Sequence, residues 1–267
     1  MKRFVAVCCI YLVALTLLPA AETLPERGIS AHRGENGVFP ENTVSGFMEA
    51  VRLGAGQIEF DVQQTGDGHL VIMHDATVDR TTNGEGRVAE LTFDEIRQLD
   101  AGIKKGERFA GTKVPTFEEA LDAIPKGIWI NVHIGLADEQ TARAVAKMIV
   151  EKERTDQAFL ACSRKNALAA KEVSPTMMIC NMERSGEDVS RYIRETIEWK
   201  CDFLQLTQLG TPEEMKALQD AGVRINFFSA QNPEHFRKLV EAGVNFPLVD
   251  NMGAFLETAR DVFSTIP

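Results

Sequence analysis

The sequence predicts a closed (β/α)8 TIM barrel with a small insertion after its second strand. After residue 28, short apolar runs rich in β-branched and aromatic residues alternate with amphipathic stretches, the pattern of parallel strands joined by helices. With the first hairpin counted as one extended strand, the alternation yields eight strand units, which suggests a sheet that closes on itself. At 267 residues the chain is long enough for one such barrel with a full core, or for two small domains. No linker, low-complexity tract or short-period repeat divides it.

The elements follow in order. A first strand covers 28–31, and Pro40 opens a helix over 41–53, proline being at home in a first helical turn. Residues 57–65 alternate as a strand, Gly66-Asp67-Gly68 signals a tight turn, and 70–73 return as its partner. Residues 76–115 break the rhythm: they are polar, contain Gly84, Gly86, Gly102, Gly106 and Gly111, and include a short helix that Thr92 can cap. This insertion is expected over one mouth of the barrel. The alternation resumes with a helix over 116–124, where Thr116 and Glu119 have capping-box spacing, a strand over 128–134 and a helix over 138–154. Later strands are expected at 158–163, 176–182, 202–207, 224–229 and 245–251, with the clearest helices between them at 188–200, 211–222 and 233–243.

Met1-Lys2-Arg3, an apolar run over 4–18 and Pro19-Ala20-Ala21 read as a secretory signal peptide over 1–21, cleaved near Ala21. The apolar run is shorter than the roughly 20 residues of a membrane span, so no stable span is expected after cleavage. The mature chain, 22–267, is expected to be one exported domain, periplasmic or secreted. No cysteine follows the apolar run where a lipid anchor would need one. Cys8 and Cys9 leave with the leader, and the odd set Cys162, Cys180 and Cys201 reads as buried free thiols rather than a disulfide framework. The formal net charge of −10, with no basic face apparent, argues against nucleic acid as a partner. A small anionic substrate remains compatible with a local positive site.

Chemistry concentrates between residues 28 and 75. Two of the five histidines, His32 and His74, end apolar runs there. Glu59 and Asp61 stand between them at i and i+2, on one face of the strand and about 7 Å apart along it. The turn at Gly66–Gly68 would carry His74 back level with both acids, and His32 joins them if the first two strands are neighbours. Two acids and two imidazoles around one point fit a divalent cation with proton transfer beside it; a surface salt-bridge cluster on an edge hairpin is the alternative. In a barrel the site lies at the carboxyl ends of the strands, where His133 also falls. Ser163, Gln205 and Asp250 end later strands as candidate lining or simple packing. Phe227 and Phe228 read as packing, and His69 and His235 as surface residues.

His32-Arg33-Gly34, Pro40-Glu41-Asn42-Thr43, Glu59-Phe60-Asp61-Val62 and His74-Asp75 resemble the signature of the glycerophosphodiester phosphodiesterase family. The continuation from Thr77 through Asp79-Arg80-Thr81-Thr82 to Gly84 and Gly86 also resembles it. The resemblance implies a barrel hydrolase that cleaves glycerophosphodiesters to glycerol 3-phosphate and an alcohol. It implies His32 and His74 as general acid and base, Glu59 and Asp61 as metal ligands, and Arg33 as a substrate phosphate contact. The chain departs from the pattern at Asn131-Val132-His133-Ile134-Gly135, where the family has a metal-binding glutamate at the place of His133 and a phosphate-binding lysine at that of Gly135. His133 can ligate through a neutral nitrogen, and one anionic ligand fewer moves preference from Ca²⁺ toward Mg²⁺, Mn²⁺ or Zn²⁺, with Mg²⁺ favoured. Lys104, Lys105, Arg108 and Lys113 are the nearest candidates to replace the missing cation. A lysophospholipase D-like substrate, or a non-catalytic barrel holding a phosphorylated or sugar ligand, are the alternative readings.

Overall fold

A computed structural model describes residues 23–183 and 188–265; the expected signal peptide lies outside them. The chain runs β1 (Ser30–His32), α1 (Val44–Arg52), β2 (Gln57–Gln64), β3 (Leu70–Ile72), α2 (Phe93–Gln98), α3 (Phe117–Ala123), β4 (Trp129–His133), α4 (Glu139–Glu151), β5 (Ala158–Cys162) and α5 (Arg164–Val173). It continues through β6 (Met178–Asn181), α6 (Val189–Glu198), β7 (Phe203–Leu206), α7 (Pro212–Asp220), β8 (Arg224–Phe227), α8 (Pro233–Glu241), β9 (Phe246–Val249) and α9 (Leu256–Thr265). β1 pairs in parallel with both β2 and β9, which closes eight parallel strands into the predicted barrel. β3 is the exception, antiparallel to the far half of β2.

Strand periodicity sorts the side chains into two populations. One set of alternate residues, Ala31, Ile58, Phe60, Ile130, Val132, Leu160, Leu204 and Ile225, is buried in a shared core with the helices. The other set faces the barrel axis and changes character along it. Trp129, Phe159, Phe203 and Phe246 form an aromatic plug, with Phe159 stacked on Phe203 at 3.8 Å. One step along the strands come Ser30, Gln57, Asn131 and Asn226, all buried and joined by side-chain hydrogen bonds centred on Gln57. A further step brings His32, Glu59, Asp61 and His133 to the carboxyl-terminal mouth.

Most predicted elements lie within a few residues of their expected bounds, with the helices generally shorter. Helix α1 begins at Val44, not at Pro40, because Thr43 caps it by accepting the Gly46 N–H. Thr92 and Thr116 cap α2 and α3 in reciprocal boxes with Glu95 and Glu119. Helices α5 and α9 carry no signal singled out in the sequence; short polar-rich stretches there gain helix from packing on the barrel. The insertion packs Val78, Val88, Ile96, Ala101 and Val114 with Val71 and Met73 of the returning hairpin in a small second core. It leans on the loop after β1, through Phe39 against Phe109 and through Lys105, whose amine donates to the carbonyls of Asn36 and Gly37.

Candidate active site

Strand register builds the site. His32 lies beside Glu59, and Asp61 beside His133, as paired positions of neighbouring strands. The β2–β3 hairpin rises above the barrel and returns, and the Met73 N–H donates to the Asp61 carbonyl at 3.0 Å. His74 is the next residue. A pocket of about 160 Å³ is lined by His32, Arg33, Glu59, Asp61, His74 and His133, with Met182, Gln205, Phe228 and Leu248 completing its wall. All six site residues named from the sequence therefore meet at one mouth.

The loop after β1 is shaped to reach the acids. Arg33 (φ 55°) and Asn42 (φ 56°) adopt the left-handed conformation, which places the Arg33 N–H on Glu59 at 3.0 Å and the Asn42 amide on Asp61 at 2.9 Å. Gly34, also left-handed, admits no side chain: a Cβ there would stand 2.8 Å from the Gly46 carbonyl carbon. The Arg33 guanidinium is held between two carboxylates, with Nη1 donating to Glu41 at 2.9 Å and Nε lying 3.4 Å from Asp61. That Nε is buried without a hydrogen-bond partner.

Both histidines are oriented through the same nitrogen. Nδ1 of His32 donates to Asp250 at 2.7 Å, and Nδ1 of His74 donates to Asp75 at 2.6 Å. Each arrangement leaves Nε2 as the nitrogen not engaged by a carboxylate. The partners are themselves anchored. Asn36 donates to Asp250 at 2.8 Å, and Arg80 forks between Asp75 and Glu41. The hydrogen bond from Arg80 holds the Asp75 carboxyl down at about 2, and that from His32 holds Asp250 below the usual range. Burial would raise Glu41, but its bonds to Arg80 and Arg33 outweigh it and keep the carboxyl low.

Glu59 and Asp61, each only 4 % exposed, respond in opposite directions. Burial, then the neighbouring Asp61 charge, pushes Glu59 well above the ordinary carboxylate range. Burial also works against Asp61, yet the His133 hydrogen bond at 2.8 Å and the nearby positive charges bring it lower than usual. Donor atoms of Glu59, Asp61 and His133 lie within 4.8 Å of one another, the one such cluster among the described residues. Two carboxylates and an imidazole are a donor set suited to Mg²⁺, Mn²⁺ or Zn²⁺ with coordination positions left over.

Other expectations change. Gln205 lines the pocket and Asp250 serves His32, but Ser163 caps α5, accepting from the Asn166 N–H. Phe228 is not packing: it is 38 % exposed, lines the pocket and meets the His32 ring edge-on at 5.0 Å. Phe227 is buried as expected, and His69 is exposed, stacked on Phe93. Lys104, Lys105 and Arg108 do not replace a cation at position 135; they bond to the carbonyls of Asp79, Asn36 and Val38 and tie down the insertion and its neighbouring loop. Glu41, Asn42, Asp75 and Arg80 stood in the sequence as motif residues without a role. Their roles depend on pairings up to 39 residues apart, which spacing does not reveal.

Residues 32–254 match the sequence profile of the Glycerophosphoryl diester phosphodiesterase family. The chain is 33 % identical over 243 residues to a glycerophosphodiester phosphodiesterase of Caldanaerobacter subterraneus, covering 87 % of this chain and 97 % of that one. Its structure is similar to that of a glycerophosphodiester phosphodiesterase from Agrobacterium tumefaciens, with a TM-score of 0.76 at 25 % identity over 86 % of this chain and 99 % of that one. It shares its fold with an Oleispira antarctica phosphodiesterase solved with the product sn-glycerol-3-phosphate, with a TM-score of 0.75 at 23 % identity over 89 % of this chain and 97 % of that one. No helix among the described residues is long and apolar enough to cross a membrane.

Proposed function

The chain belongs to the glycerophosphoryl diester phosphodiesterase family and is a phosphoric diester hydrolase, and from that premise we propose that it is an exported, metal-dependent enzyme acting through His32 and His74. The observation that carries this reading is the paired orientation of those imidazoles, each with Nδ1 on a carboxylate, in one pocket with two buried acids and Arg33. A merely structural histidine needs no such anchoring, whereas a proton-transfer group needs a defined free nitrogen.

One imidazole takes the proton from the attacking oxygen, that of water or of a neighbouring substrate hydroxyl, as the new P–O bond forms. The other gives a proton to the departing alcohol as the old P–O bond breaks, leaving glycerol 3-phosphate. If the substrate hydroxyl attacks first, a cyclic phosphate precedes hydrolysis. Arg33 contributes fixed positive charge below the phosphate. Glu59, Asp61 and His133 would hold a divalent cation, Mg²⁺ favoured, which supplies charge neutralisation at a phosphate oxygen. Export rests on the basic, apolar and small-residue order of residues 1–21.

The test is hydrolysis of glycerophosphocholine by chelator-stripped mature protein, with Mg²⁺, Ca²⁺, Mn²⁺ and Zn²⁺ returned separately. Turnover should return with Mg²⁺ and fall by about 10²–10⁴ in His32→Ala and in His74→Ala. Full turnover in chelator, or variants as active as the parent, would overturn the assigned roles.

A further inference from the structure

Where the insertion leans on the loop after β1, the two enclose a pocket of about 190 Å³. It is close in size to the catalytic pocket but shares no lining residue with it. Arg80, Lys104 and Lys105 line it against a single acid, Glu41, a local excess of positive charge on a chain of net charge −10.

The three cations are held in place without being saturated. Lys105 donates to the carbonyls of Asn36 and Gly37, and Lys104 to that of Asp79. An ammonium has three N–H groups, so one remains on Lys105 and two on Lys104. Arg80 spends four of its five N–H groups on Glu41 and Asp75, which leaves one on Nη1. Among the described residues neither lysine pairs with a carboxylate. Carbonyl oxygens fix where these ammoniums stand and leave their charge uncompensated. A phosphate group with one ester bond, or none, carries about −1.5 to −2 at pH 7 and three strong acceptor oxygens, which matches an excess of two cations. A diester, with one charge, matches it less well.

We propose that this pocket is a second oxyanion site, separate from the catalytic pocket, for a phosphate dianion, either free or as a monoester. Its occupancy reaches the catalytic groups through Arg80. A dianion competes with Glu41 and Asp75 for the guanidinium, and those two carboxylates hold Arg33 and His74. A filled site therefore slows turnover rather than obstructing substrate entry, a consequence that rests on the phosphodiesterase reading; the site itself does not.

Acetylation of Mg²⁺-loaded mature protein by an N-hydroxysuccinimide ester at pH 7.5, read residue by residue by mass spectrometry, tests the site without turnover. Inorganic phosphate and glycerol 3-phosphate should slow modification of Lys104 and Lys105, by about tenfold once the anion stands at ten times its Kd. Exposed Lys113, outside the pocket, should keep its rate. Stronger protection by glycerol 3-phosphate would make the monoester the occupant, and equal protection the phosphate group alone. Unprotected Lys104 and Lys105, or equal protection by the monoanion dimethyl phosphate, overturns the proposal. By calorimetry, Lys104→Gln with Lys105→Gln should weaken phosphate binding at least about tenfold, the scale of a lost charged hydrogen bond, while arginine at both positions should retain it. In glycerophosphocholine hydrolysis, phosphate should lower kcat in the parent and act on KM alone in the double glutamine variant. Inhibition confined to KM in the parent overturns the link to the catalytic groups, whereas the protection data judge the site itself.

Discussion

Arg80 closes a two-bond fork on Glu41 across 39 residues of sequence, with both nitrogen–oxygen distances at 2.7 Å. The same guanidinium holds Asp75, which holds His74, while Glu41 holds Arg33. One side chain of the insertion thereby holds two groups to which the proposed mechanism gives roles, His74 and Arg33. Charge-assisted forks of this kind are directional as well as strong, which suits a positioning role. Arg80→Ala should lower kcat about 10–100-fold, by analogy with lost outer-shell support at metal sites, and should disturb the pH profile more than KM. Arg80→Lys, unable to bridge both carboxylates, should recover little of the loss. A variant changed only in thermal stability would make the fork purely structural.

The same fork has a pH signature. Asp75 and Glu41 both titrate below their ordinary values in the folded chain, Asp75 at about 2 through its Arg80 hydrogen bond. A depressed carboxyl contributes stability that is fully present above its unfolded pKa of about 4 and is lost as pH falls through the folded value. The urea midpoints of the parent and Arg80→Ala should therefore differ at pH 7 and converge as the pH approaches 2. A gap that persists unchanged at low pH would mean that packing of the arginine stem, not its ion pairs, carries the effect.

His133 and Gly135 should show coupling in metal binding. Gly135→Ala forces the ring from its place, because the new Cβ would lie 2.7 Å from Nε2. Calorimetry with Mn²⁺ should find affinity reduced about 10–100-fold, the scale of a disturbed supporting shell. In a His133→Ala background the same alanine should add almost nothing. Additive losses would separate the two positions.

The thiols should be inert. Burial pushes Cys162 up to about 12 and Cys201 up to about 11, so neither carries appreciable thiolate at pH 8, and Cys180 is buried as well. A disulfide-exchange reagent at pH 8 should leave Cys162 and Cys180 unlabelled in the native protein, with Cys201 reacting slowly, and label all three in denaturant. Rapid native labelling would show that the helix layer over β5 opens.

Asp250→Asn should separate orientation from charge at His32. The amide oxygen can still accept from Nδ1 but no longer stabilises an imidazolium, so kcat should fall while KM changes less. Unchanged kcat would remove His32 from proton transfer. Restoration by Asp250→Glu, which returns the charge at a longer reach, would assign the effect to the carboxylate.

By itself, the sequence determined the barrel and the identity of its chemical groups. Local rules suffice for that. Two-residue periodicity separates the outward Ile58 and Phe60 from the inward Glu59 and Asp61, and threonines in capping positions start α2 and α3. The tight turn at Gly66–Gly68 returns the chain so that His74 follows directly on Met73, the residue opposite Asp61. The tertiary structure alone decided how those groups are held and what lies beside them. Asp250 reaches His32 only because β9 closes the sheet against β1, and Arg80 meets Glu41 only because the insertion leans on the loop after β1. The contact between the His133 ring and the space above Gly135 depends on a rotamer. Hydrogen bonds across such sequence distances form once the hydrophobic layers have fixed the backbone, and no local spacing encodes them.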